Sequence, residues 1–195
     1  MRIWHPISGV LCAALLAPGN VTAAEPIWPT TAYDYVVVDQ DLRTVLTQFG
    51  TNTGLRIVLS DAVQGRVHGR LPSAPPREFL SNLAQAFGLD WYFDGAVISI
   101  SATSEAQTRL LPLQAVSFSK LRDALASAGL LDQRFQLRTG LGPSIALASG
   151  PPRYLAMVQQ AAAALATEKE VKREPAGAET LVVFRGSSMS RVQFP

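Results

Sequence analysis

The chain has 195 residues, 48% of them hydrophobic and 16% charged, with a formal net charge of +2. That apolar content supplies a core and excludes wholesale disorder. A balance so near neutrality, without blocks of like charge, offers no basis for a nucleic-acid or anionic-membrane partner.

Residues 1–24, "MRIWHPISGVLCAALLAPGNVTAA", read as a secretory signal peptide. Arg2 gives a short positive start, and Ile7 to Ala17 is apolar apart from Ser8 and Gly9. Thr22, Ala23 and Ala24 are small residues suited to cleavage before Glu25. The apolar stretch is shorter than the ~20 residues that a membrane-spanning helix needs. The single cysteine, Cys12, falls inside this segment. It follows Val10 and Leu11 rather than the small residue that bacterial lipidation requires. The predicted mature chain is therefore free of cysteine, and export without disulfides fits the bacterial periplasm.

A first module is predicted over residues 33–101. "YDYVVVD" alternates as a strand, with Tyr33, Tyr35 and Val37 on one face. Asp39 or Asp41 is placed to cap the next helix. Leu42, Val45, Leu46 and Phe49 make its apolar stripe, and Gly50 and Gly54 lie near its end. "LRIVL" and "VHGRL" read as strands. A second helix starts near Pro76, where a missing N–H costs nothing, with Phe79, Leu83, Ala86 and Phe87 inward. "LDWYFDGAVISIS" reads as a hairpin turning tightly at Asp94-Gly95. Trp91 and Phe93 share one face of its first strand, and Tyr92 takes the other.

"ATSEAQTR" reads as a polar connector. A second module is predicted over residues 110–167. It comprises the strand "LLPLQAVSF" broken by Pro112, a helix from Ser119 to Ala128, strands at "RFQLR" and "SIALAS", and a helix from Pro152 to Ala166. Leu121, Ala124, Leu125 and Ala128 face inward from the first helix, and Leu155, Val158, Ala162 and Leu165 from the second. In "SGPPRYL", Gly150 ends the strand, the prolines start the helix with φ already set, and Ser149 stands near enough to cap it. That punctuation accounts for the residues without a ligand. Residues 168–195 are predicted as a linker and tail, in which "TLVVF" is the start of a further strand. The fold class is α+β: two small α/β sandwich modules in tandem, βαββαββ then βαββα, after a signal peptide.

The residues give little chemistry. The two histidines are His5, within the signal, and His68. One imidazole without cysteine is a poor start for a zinc site. No Gly-x-Ser-x-Gly elbow, phosphate loop or dinucleotide motif occurs. Asp39 and Asp41 read as helix caps, and a hydrolase built on His68 or a carboxylate pair lacks a constellation. No catalytic, metal-binding or cofactor-binding residue is nominated, and no cofactor is expected. "TGLGPS" lacks the Gly-x-x-Gly loop of KH domains, so no nucleic-acid partner is expected. The candidates for a protein interface are Trp91, Tyr92, Arg153, Tyr154, Val183 and Phe184.

The segments "LRTVLTQFGTNTGLRIVLSDAVQGRVHGRLPSAPPREFLSNLAQAFGLDWYFDGAVISI", "RLLPLQAVSFSKLRDALASAGLLDQRFQLR" and "ASGPPRYLAMVQQAAAALA" resemble the N-terminal periplasmic part of type III secretion secretins. The resemblance covers Tyr33 to Ala166, with "WYFDG", "RFQLR" and "SGPPRYL" similarly spaced. It implies a non-enzymatic, ring-forming protein on the periplasmic side of the outer membrane. Its implied partners are further copies of itself and the inner-membrane ring proteins of the apparatus. Secretins continue into a long β-barrel domain, for which this sequence shows no strands. The chain is similar in this respect to the short half of the split secretins of rhizobial nodulation systems, which implies a separate pore-forming secretin chain as partner. A truncated secretin remnant is the rival reading. A periplasmic signalling module like that of TonB-dependent receptors is another, set against the second module with its "SGPPRYL".

Overall fold

Asp41 decides where the first helix begins. In the computed structural model, which describes residues 25–114, 116–173, 181–185 and 188–192, its Oδ1 accepts hydrogen bonds from the N–H groups of Arg43 and Thr44. Strand β1 (Val36–Asp41) ends there and α1 (Leu42–Thr53) starts. The helix buries Leu42, Val45, Leu46 and Phe49, the stripe its spacing predicts, and Gly54 at φ 71° forms its C-cap. The predicted signal peptide lies outside the described residues.

The first half continues with β2 (Ile57–Leu59), β3 (Arg66–Arg70), α2 (Pro76–Ala86), β4 (Leu89–Phe93) and β5 (Ile98–Ala102). This is the βαββαββ order read from the sequence. β5 lies centrally, parallel to β2 and antiparallel to β4, with Trp91 opposite Ile100 and Phe93 opposite Ile98. β1 and β3 form a separate antiparallel pair with an irregularity between Val37 and Asp39. Both helices press their apolar faces on Trp91, Ile98 and Ile100.

A 3-10 turn at Thr103–Glu105 leads into the second half: β6 (Gln107–Pro112), α3 (Phe118–Ser127), β7 (Gln136–Thr139), β8 (Ile145–Gly150) and α4 (Pro152–Arg173). β8 is central and antiparallel to both neighbours. Leu121 and Leu125 of α3 and Leu155, Val158 and Ala162 of α4 cover one face of this sheet. β9 (Leu181–Arg185) and β10 (Ser188–Val192) form a separate antiparallel pair.

Several local expectations are corrected. Tyr33 precedes the first strand and makes only a bridge to Ala74. On α2 the buried positions are Pro76, Phe79, Leu80, Leu83 and Ala84, and Ala86 is exposed, because the helix turns its 76/79/80/83/84 stripe to the sheet. Ala128 is exposed because α3 ends one residue before it. The supposed connector is half strand: Gln107–Arg109 pair with Gly150–Ala148, and Pro112 ends β6 where a lost N–H is harmless. α4 runs on to Arg173. The hairpin does not turn tightly at Asp94-Gly95. Residues 94–97 form a longer loop in which only Gly95 has positive φ (94°). Asp94 Oδ1 accepts from the N–H groups of Ala96 (3.0 Å) and Val97 (2.9 Å), so the side chain closes the turn instead of the backbone alone.

Candidate interface at the joint between the halves

Strand β4 carries the geometry of interest. Its alternation sends Trp91 into the core of the first half and Tyr92 out of the opposite face. Tyr92 does not meet solvent there. It is 1% exposed and belongs to the core of the second half, with Leu121, Leu125 and Tyr154. Its ring stands edge-on to Tyr154 at 5.4 Å and to Phe135 at 6.2 Å. Its hydroxyl donates to the Leu130 carbonyl at 2.9 Å.

Arg134 grips the other face of the same strand. Its guanidinium carbon lies 3.8 Å from the centre of the Trp91 ring, and Nη2 donates to the Trp91 carbonyl at 2.9 Å. Asp132 holds the guanidinium from behind, with Nη2 to Oδ2 at 2.6 Å and Nε to Oδ1 at 3.1 Å. Such a cation over indole contributes about 0.5–2 kcal/mol, depending on how dry it is. Trp28 closes the stack, edge-on to Trp91 at 5.8 Å.

The loop after β4 is pinned by a third contact. Arg153, at the start of α4, donates from Nε to Asp94 Oδ2 at 2.8 Å and from Nη2 to the same oxygen. The Asp94 side chain is 3% exposed. Burial alone would raise its pKa, but the N–H groups of Val97 and Ala96 and the Arg153 guanidinium outweigh that, so the carboxyl is held below its ordinary value. Burial pushes the Tyr154 hydroxyl up to about 12, with the charge of Asp132 adding to it. Burial also raises Tyr92, helped by Tyr154, Asp132 and Asp94 against the opposing effect of Arg153. Both phenols stay protonated at neutral pH. Tyr154 OH is buried and has no hydrogen-bond partner among the described residues.

Gly150 and Ser149 explain the rest of "SGPPRYL". A Cβ on Gly150 would meet Tyr154 Cδ1 at 2.9 Å and Phe135 Cγ at 3.0 Å, so the glycine lets β8 approach the aromatic cluster. Ser149 does not cap α4: its hydroxyl shares a 2.8 Å hydrogen bond with Thr108 across the β6–β8 pair. The prolines still separate the strand from the helix.

Of the residues singled out in the sequence, Trp91, Tyr92, Arg153 and Tyr154 meet at this joint, within one chain. Val183 and Phe184 lie on β9 opposite Ser190 and Met189; their side chains fall outside the described part. Asp94, Asp132 and Arg134 complete the joint and escaped sequence reading. Asp94 read as a turn residue and Arg134 as the first position of the strand "RFQLR", whereas β7 begins at Gln136 and Arg134 lies in the loop before it. The signal that could have found them is that "WYFDG", "RFQLR" and "SGPPRYL" converge here, which spacing alone does not reveal. His68 is exposed on β3, with Nδ1 3.1 Å from Asp39 Oδ1. Asp39 is also bound by Arg66, whose hydrogen bond is the main cause of that carboxyl's lowered pKa. Among the described residues, no group of three His, Cys, Asp or Glu could hold a metal ion, and no helix is long and apolar enough to cross a membrane.

Comparison with known proteins agrees with this architecture. Residues 35–101 match the family model of the SPI-1 type 3 secretion system secretin, N0 domain. The nodulation protein NolW of Rhizobium fredii is 40% identical, over 97% of this chain and 84% of that protein. The type 3 secretion system secretin of Xanthomonas euvesicatoria is 35% identical over 77% of this chain, which spans only 25% of the secretin's length. Among solved structures, a chain of the Salmonella SPI-1 injectisome complex of InvG N0N1 with SpaPQR and PrgHK superposes with a TM-score of 0.62 at 29% identity. That superposition covers 72% of this chain and 98% of the other.

Proposed function

The chain belongs to the family of the nodulation protein NolW and shares the N-terminal architecture of the type 3 secretion system secretins, and from that premise we propose that it is a periplasmic, ring-forming component of a secretin in protein export. It works with a separate pore-forming chain. The observation that carries this reading is the contrast in coverage: the match runs through most of NolW but only a quarter of a full-length secretin. NolW is thus a protein in which these two halves make up most of the chain.

The role is structural. Rings are built by heterologous contacts repeated between neighbouring copies, which need complementary surfaces rather than reactive groups. By analogy with the injectisome complex, the inner-membrane ring proteins of the apparatus are the partners below the ring. The shared superposition is longer than either half, so the two-module arrangement supports a secretin component over a lone signalling module.

The test is a native-gel immunoblot of gently solubilised outer membranes, with and without the candidate pore-forming chain. A very large species that disappears with the partner is expected. A small periplasmic species in both samples would overturn the proposal.

A further inference from the structure

We infer that the joint is a lock that makes the two halves one rigid body, so that in any assembly they move together rather than as beads on a connector. The inference does not rest on the export role.

Two modules joined by a short connector are expected to move relative to each other unless their interface is large and apolar. Here the contact has a different character. Strand β4 is held on both faces at once: Arg134 lies on Trp91 on one side, and Tyr92 is buried among Phe135 and Tyr154 on the other. Rotation about the strand axis would pull one of these apart. The loop at its end is fastened to α4 by Arg153 on a nearly inaccessible Asp94, which blocks hinging along the strand. The grips come from different elements of the second half, namely the α3–β7 loop, the core and the first turn of α4, so one displacement cannot relieve them all. Tyr92 is also enclosed too completely to slide out without leaving a cavity in the second core.

The consequence is mechanical. A shift imposed on the first half passes to the second as a rigid rotation, and two tiers of a ring built from such chains keep a fixed angular offset.

The test is a distance measurement on the full chain carrying Cys12→Ser, with spin labels attached at Thr47→Cys on α1 and Arg122→Cys on α3, both exposed positions. Pulsed dipolar spectroscopy is expected to give a single narrow distance distribution. Adding Arg134→Ala and Arg153→Ala, with helix content checked by circular dichroism, is expected to broaden it and remove its single maximum. A broad distribution in the parent overturns the lock. An unchanged narrow one in the doubly substituted chain, still folded, overturns the assignment of the lock to these residues. Should Arg134→Ala with Arg153→Ala lose helix content, Arg134→Gln with Arg153→Gln serves in its place, with the same two readings of the distribution.

Discussion

In the first half, Tyr33, Phe49 and Phe79 pack ring against ring inside a core whose members all lie between residues 28 and 102. In the second half, the aromatic cluster of Tyr92, Phe135 and Tyr154 takes one of its rings from β4 of the first. The sheets differ in the same sense. The first half divides its strands between a two-stranded pair and a mixed three-stranded sheet, tied together by helices. The second is a simple antiparallel sheet with helices on one face. A small sheet with one helical layer buries little surface for its size, and a large borrowed ring goes some way to offset that. The first half therefore owns its core, whereas the second is completed by its neighbour.

The substitution that presses hardest on this contrast is Phe49→Ala. It removes a fully buried ring stacked on Phe79 at 5.4 Å, and a loss of about 3–5 kcal/mol is expected in urea unfolding. Hydrogen exchange should show protection falling in both halves, because the second loses its peg when the first melts. Protection lost in the first half alone would break the comparison. Gly150→Ala tests the second half from inside. Its new methyl meets Tyr154 and Phe135 below contact distance, for an expected cost of about 1–3 kcal/mol from overpacking. Here the first half should keep its own protection.

Tyr92→Phe keeps the ring and removes only the hydrogen bond to the Leu130 carbonyl. About 1 kcal/mol should be lost, far less than for Tyr92→Ala, if packing rather than the hydroxyl makes the peg. Acid tests the Asp94–Arg153 fastening. The folded carboxyl titrates below its unfolded value of about 3.9. Its contribution is therefore complete above that value and is lost as pH falls through the lower folded value. Urea midpoints should drop as the pH falls below about 4, and Asp94→Asn should flatten that slope. The smallest effect belongs to His68→Ala, an exposed side chain on the β1–β3 pair, for which stability and ring formation should be unchanged within error. Loss of function on that substitution would revive a chemical role for the only histidine beyond the predicted signal segment.

Much of the fold could be read along the chain because its causes are local. The stripe Leu42, Val45, Leu46, Phe49 needs only helical period, Asp41 needs only the orphan N–H groups above it, and the strand and helix order follows from period and punctuation. The errors sit where a neighbour decides. Gln107–Arg109 looked polar enough for a connector and became a strand because β8 offered a pairing edge. Ser149 was in reach of a helix end and turned instead to Thr108.

The joint shows the same division. From sequence alone, β4 had to present Trp91 and Tyr92 to opposite sides, since alternation is a property of the extended backbone. Which surface would lie against each side depends on contacts between residues some forty to sixty positions apart, such as Trp91 with Arg134 and Asp94 with Arg153. No period or spacing encodes such a contact. It exists only once two cores have formed and their surfaces meet, so tertiary structure alone turned three separate motifs into one joint.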